Sequence, residues 1–170
     1  SIGARMANSL KVGSDFIIFG EPTENKLGIA HKGIITFKIT AKGKAAHSAF
    51  PESGESAIEK LLDVLQRIRI LDFGKDQVRG RSVLNIGTIE GGAAPNVVAN
   101  NASAEITIRS VLPSKQILNK VKTVLKKKVE IEVLTQSEVQ KLFTVPDLDQ
   151  VVLPYGTDIP YLKSFGKPLL

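Results

Sequence analysis

The chain has 170 residues, 42% of them hydrophobic and 24% charged, and carries a net charge of +6. That composition is ordinary for a globular protein with a core of its own and excludes a disordered polypeptide. No apolar run reaches the roughly 20 residues of a membrane-spanning helix, and no basic segment followed by an apolar one opens the chain. Cysteine is absent, which removes thiol catalysis and cysteine-ligated metal from this chain and fits a reducing, cytoplasmic setting.

Residues 1–31 predict a short helix and then a strand. The run Phe16-Ile17-Ile18-Phe19, bounded by Gly20 and Pro22, reads as a buried strand end, and Glu21 sits where it breaks off. A carboxylate in that setting needs a cation, backbone N–H groups or a metal ion; a capped turn, an ion pair and a metal ligand all stay open. His31, just before Lys32-Gly33, reads as a surface or packed histidine.

Alternation of Ile35, Phe37, Ile39 and Ala41 marks a half-buried strand from Ile34 to Ala41. It runs into Gly43-Lys44-Ala45-Ala46-His47-Ser48, where small neighbours leave the His47 ring uncrowded. Such an imidazole can hold a substrate oxygen or bond its local backbone. Pro51, Ser53 and Gly54 break the chain before a helix from Glu55 to Leu71, with Ile58, Leu61, Leu62, Leu65 and Ile68 on one face.

Alternation returns from Ser82 to Ile89 and from Ala102 to Val111. Between them Gly91-Gly92-Ala93-Ala94-Pro95 forces a turn ending on Asn96, whose amide can serve an acyl oxygen or carboxylate, or close an Asx turn. Arg109 lies on the strand face opposite Ile106 and Ile108. Its guanidinium suits a substrate carboxylate, or an ion pair across the strands with Glu105, Glu130 or Glu132.

Pro113-Ser114 predicts a second helix start with Ser114 as the capping oxygen. Ile117, Leu118, Val121, Val124 and Leu125 recur at helical spacing, while Lys120, Lys122, Lys126, Lys127 and Lys128 take the solvated face and the C-terminal end. No aromatic residues interleave with these lysines as stacking platforms, so nucleic acid is not an expected partner. A strand from Val129 to Val133 completes the order β-α-β-β-α-β. That order predicts an α+β fold, a ferredoxin-like sandwich over residues 32–134 with two helices on one face of an antiparallel sheet. Residues 135–170 differ in character, with Pro146, Pro154, Pro160 and Pro168 around Tyr155-Gly156-Thr157-Asp158; the last two serve either a substrate or a helix cap.

Gly20-Glu21-Pro22-Thr23, Lys32-Gly33, Gly43-Lys44-Ala45-Ala46-His47-Ser48 with Pro51 and Gly54, Gly91-Gly92 with Asn96-Val97-Val98, and Arg109 together resemble the M20 metal-dependent amidohydrolases, in the family's order along nearly the whole chain. The stretch Asn100-Asn101 departs from the Pro-containing segment common there. The resemblance implies that 1–31 and 135–170 belong to a catalytic α/β domain and that 32–134 is an inserted lid and dimerisation domain. Glu21 is then a metal ligand. His47 becomes the catalytic lid histidine that stabilises the oxyanion in a neighbouring subunit. Asn96, Arg109 and Thr157 become substrate-binding residues.

The same resemblance implies two zinc ions, with cobalt as a possible substitute, and a homodimer. It implies a substrate that is an N-acyl amino acid, acetylornithine first, or a peptide cleaved by a carboxypeptidase or dipeptidase relative. A protein-interaction module without chemistry is the competing class. Ser1-Ile2-Gly3-Ala4 resembles the segment just after the family's Glu-Glu pair, so the chain is expected to be an internal fragment, inactive alone and lacking the general base and most metal ligands.

Overall fold

Residues 2–10, 12–125 and 129–170 are described by a computed structural model. The elements in chain order are α1 (Ile2–Ser9), β1 (Phe16–Ile18), β2 (Leu27–His31), β3 (Gly33–Lys42), α2 (Ala57–Arg69), β4 (Lys75–Asp76), β5 (Gly80–Arg81), β6 (Val83–Gly91), β7 (Asn101–Ser110), α3 (Ser114–Lys122), β8 (Val129–Ser137), β9 (Gln140–Lys141), β10 (Gln150–Leu153) and β11 (Lys167–Leu169).

The expected sandwich is present: β6-β7-β3-β8 form a four-stranded sheet, every neighbouring pair antiparallel. Alternation is the cause. Ile35, Phe37, Ile39 and Ala41 on β3 and Ala102, Ala104, Ile106 and Ile108 on β7 are all buried, and they pack with Leu61, Val64, Leu65 and Ile68 of α2 and Ile117 and Val121 of α3. Each such large side chain removed from water contributes about 1.5–3 kcal/mol. The opposite sheet face holds polar groups, among them a hydrogen bond between the Thr36 and Thr107 hydroxyls at 2.9 Å.

The inner pair β3–β7 runs in unbroken register from Gly33↔Ser110 to Lys42↔Asn101. Each outer strand carries a shift, β6 between the partners of Ile106 and Glu105, where Gly87 is skipped, and β8 opposite Thr36/Phe37, where Leu134 is skipped.

Several boundaries move for physical reasons. Helix α2 begins at Ala57 rather than Glu55, because Glu55 bridges back to Lys44 and the Ser56 side chain accepts the Glu59 N–H as the cap. Leu62 is 48% exposed, and Val64 takes its place in the core. Ser114 is not a cap but the first helical residue; its N–H (3.1 Å) and hydroxyl both donate to the Glu138 carboxylate, which reaches in from beyond β8. Val124 and Leu125 pack on the core from beyond the end of α3, and β8 runs on to Ser137 rather than stopping at Val133. Ser1 and Lys126, Lys127 and Lys128 lie outside the described residues.

The flanking segments come together. β1 pairs in parallel with β11, and β10-β2-β9 form a second small sheet. Leu142, Leu153, Ile159 and Leu170 make a separate cluster with Phe19, Val151 and Tyr155 against it. The buried strand expected at Phe16–Phe19 is corrected: Phe16 is 46% and Ile18 80% exposed, since β1 has β11 as its one partner among the described residues and nothing there covers its outer side. The hairpin β4–β5, absent from the sequence reading, is held by cations: Lys32 Nζ donates to the Arg81 carbonyl and Arg79 Nη2 to the Gln140 carbonyl at 2.8 Å.

Helix α3 therefore takes its N-terminal cap from a distant residue. Glu138→Ala should lower stability by about 1–2 kcal/mol, read from the midpoint of urea unfolding, while Ser56→Ala acts on α2 by a similar amount and adds to it.

Candidate functional site

Two chain crossings join the sheets. Lys32 alone separates β2 from β3, and the returning chain passes from β8 to β9 beside it. A cleft of about 400 Å³ opens at this junction, lined by Glu21, Arg109, Gly156, Thr157, Asp158 and Tyr161 among others. Three of the five residues singled out from the sequence, Glu21, Arg109 and Thr157, thus meet in one place.

Arg109 reaches the cleft from the polar face of β7. In register it lies opposite Ile34 and Val83, while Glu105 and Glu132 lie opposite Lys38 and Glu130 opposite Thr40. The cross-strand ion pair is therefore not what holds it. Glu21 is half-buried past the end of β1. Close by, the Tyr155 hydroxyl donates to the Pro22 carbonyl at 3.1 Å, and burial first, then the negative charge of Glu21, push this phenol above its ordinary pKa.

Thr157 is buried, and its hydroxyl is engaged: Oγ1 lies 3.2 Å from His31 Nε2 and accepts the Ile159 N–H at 3.3 Å. That second bond is a local side-chain turn onto the residue two ahead, not the helix cap raised for this residue, since the N-cap of the turn Ile159–Tyr161 is Asp158. His31 was missed as part of the site. It is fully buried, with Nδ1 2.8 Å from the Lys32 carbonyl oxygen. Burial holds its pKa below the ordinary value, the Lys32 carbonyl opposes that, and the nearby Arg79 charge adds to the lowering. Its place between Ala30 and Lys32 in an apolar strand was the available signal.

His47 and Asn96 form a second group. Their loops are sewn together by Ser48 N–H to the Asn96 carbonyl at 2.9 Å, Val98 N–H to the Ala46 carbonyl at 2.8 Å and a bridge between His47 and Val97. Both side chains are exposed, and neither lines the cleft of Glu21 and Arg109. His47 Nδ1 accepts the Ala49 N–H at 3.1 Å. The local backbone bond foreseen as an alternative therefore exists, and in the neutral ring it leaves the proton on Nε2, ready to be donated outward.

Zinc needs several imidazole or carboxylate donors converging on one point. Among the described residues no group of three or more such side chains does so. Both nitrogens of His31 are engaged, and His47 lies in the other group. The described residues by themselves do not make a zinc site.

A family model described as a peptidase dimerisation domain matches residues 29–133. A peptidase M20 domain-containing protein of Schizosaccharomyces pombe is 45% identical over 161 residues, 94% of this chain and 40% of that protein. A probable carboxypeptidase of Aspergillus flavus is 35% identical over 169 residues, 86% of this chain and 40% of that protein. Among solved structures, a tripeptidase from Staphylococcus aureus matches with a TM-score of 0.80 at 21% identity, covering 99% of this chain and 51% of that one. At such identity the likeness is one of fold. The chain spans about 40% of the length of these curated relatives.

The buried neutral His31 makes stability depend on pH. Its folded pKa lies below the unfolded value of about 6.5, so its contribution is complete above that pH and is lost as pH falls from there through the folded value, where the unfolded chain binds the extra proton. Urea midpoints between pH 7.5 and 5 should fall in the native chain and fall less in His31→Gln; parallel curves would contradict this.

Proposed function

We propose, from the premise that this chain belongs to the M20 peptidase family and carries its dimerisation domain, that the whole protein hydrolyses the amide bond next to a free carboxylate, as a carboxypeptidase does. One observation carries this reading: Arg109, with no acid opposite it in register, faces Glu21 and the Gly156–Asp158 turn across one cleft. A guanidinium with no acid opposite it on either neighbouring strand is suited to hold a substrate carboxylate bidentately. The curated relatives named above are a peptidase-family protein and a probable carboxypeptidase, which favours a peptide over acetylornithine. Deacylation of an N-acyl amino acid stays as the second reading, because that substrate offers Arg109 the same carboxylate.

Within this reading residues 1–31 and 135–170 are parts of the catalytic domain and 32–134 the lid. Glu21 would give one carboxylate to a zinc site, open also to cobalt, whose other ligands come from outside this chain; such an ion polarises the scissile carbonyl and supplies a nucleophilic water. His47, with its proton on Nε2, donates to the oxygen that gains charge, and Asn96 beside it bonds the acyl oxygen or the carboxylate. In this reading, which follows the family resemblance and which their distance from the Arg109 cleft supports, these two serve the site of a second copy, and the protein works as a homodimer. Thr157 contributes by shaping the cleft wall. Without that larger assembly the 170 residues are inert. Among the described residues no helix is long and apolar enough to cross a membrane.

In the whole protein, Arg109→Leu should raise KM at least tenfold for peptides with a free C-terminus and leave amidated peptides, already poor, unchanged. Equal loss on both would refute carboxylate recognition. A panel that includes N-acetyl amino acids separates the two substrate readings. His47→Ala should cut kcat by about 100- to 1000-fold with zinc content unaltered by mass spectrometry, whereas Glu21→Gln should lower zinc content itself.

A further inference from the structure

The His31 ring ties together two pieces of main chain that the cleft needs in register. The Lys32 carbonyl can only accept, so Nδ1, 2.8 Å away, carries the proton and donates it. Nε2 is then an acceptor and receives the hydrogen bond of the Thr157 hydroxyl at 3.2 Å, which leaves Oγ1 to accept the Ile159 N–H at 3.3 Å. The series runs without a break from the Lys32 carbonyl through His31 and Thr157 to Ile159.

Its two ends are not arbitrary. Lys32 is the single residue between β2 and β3, where the chain leaves the small sheet for the sheet that carries Arg109. Thr157 sits in the turn that lines the cleft opposite, and Gly156 beside it lies against Ile34 and the Lys32 carbonyl, where a Cβ would be in ordinary contact at 3.8 Å.

We infer that His31 is a positioning residue for the substrate cleft: by bonding the Lys32 carbonyl with one nitrogen and Thr157 with the other, it sets the Gly156–Asp158 turn at a fixed separation from Arg109. This rests on the reading of that cleft as the substrate site. The ring touches no substrate; it acts through Thr157.

A second proton follows from the same geometry. Protonated Nε2 would be a donor, the Thr157 hydroxyl would lose its acceptor, and the charge would face the Arg79 guanidinium of the β4–β5 hairpin. The Lys32 ammonium is turned to the Arg81 carbonyl, and the residues in register with His31, Leu153 on β10 and Gln140 on β9, do not titrate. No carboxylate is among the groups that shift this ring; the Lys32 carbonyl favours the added charge, and Arg79, which opposes it, is itself paired with Asp76 at 3.4 Å. Acid therefore loosens the turn.

The test uses the whole protein with Thr157→Val, which keeps the shape and removes the hydroxyl, Thr157→Ser, which keeps the hydroxyl, and His31→Gln. Thr157→Val should lower kcat/KM by about 10- to 100-fold on peptides with a free C-terminus, the scale of a small misplacement. It should also speed amide exchange across residues 155–161. Thr157→Ser should restore both, and the acid limb of kcat/KM should flatten in His31→Gln. Unchanged exchange in Thr157→Val overturns the inference. Faster exchange with native kcat/KM overturns it too, since the tie would then be structural only, and so does a Thr157→Ser variant as impaired as Thr157→Val. Indifference of the native protein to C-terminal amidation would instead refute carboxylate recognition, and the exchange measurement would still judge the tie.

Discussion

The constraint on which the cleft depends is at Gly33, where the chain enters β3 while the strand leaving the same sheet passes alongside. A Cβ on Gly33 would stand 2.7 Å from the Ser137 carbonyl oxygen and 3.0 Å from the Val139 nitrogen, both backbone atoms that cannot swing away. The absence of a side chain lets the two crossings run in contact. Because they do, Ile34, Ser137 and Arg109 share one end of the sheet next to the turn at Gly156, and the cleft exists at all. Lys32 and Arg79, each bonded to a carbonyl across the junction, pin the β4–β5 hairpin over the same spot. A junction built from backbone contacts and charge-assisted hydrogen bonds resists bending more than an apolar one would, because each bond has a direction.

How much of this was legible depended on whether the cause was local. Period-two alternation in β3 and β7 and helical spacing in α2 report burial of a single face, so the sandwich could be read directly from Ile35, Phe37, Ile39 and Ile106, Ile108. Ser114 looked like a cap because its own neighbourhood permits it; the residue that serves the helix is Glu138, brought in by the fold and invisible to any window around position 114. Leu62 fits the helical stripe by spacing and is displaced by Val64 because the buried face of α2 is narrower than the pattern allows. Phe16 and Ile18 read as buried because hydropathy reports what a strand can bury, not which neighbour is there to cover it.

The candidate site divides along the same line. Glu21, Arg109 and Thr157 were recognisable as separate polar groups in apolar or glycine-rich settings, but nothing in their spacing of tens of residues tells that they meet. His31 reads from the sequence as a surface or packed histidine, and its link to the cleft is hidden for the opposite reason. Its work is done through hydrogen bonds to Lys32 and to Thr157, one adjacent and one 126 positions away, and only the second gives the first its purpose. His47 and Asn96 are joined by backbone pairing between their loops and kept apart from the others. Their separation is a geometric fact of the single chain, and it agrees with the proposal, drawn from the family resemblance, that they serve a neighbouring copy.

The skipped residues Gly87 and Leu134 fall in the outer strands alone, while the inner ladder is unbroken. An added residue coils a strand and throws its free N–H and C=O groups out of line with any straight template. Each rim of the sheet is thereby divided into two short, differently aimed runs, and a foreign strand could zip onto one but not continue along the other. Growth of the sheet by indiscriminate addition is blocked, and a second molecule docking at either rim has to match a kink as well as a row of amides.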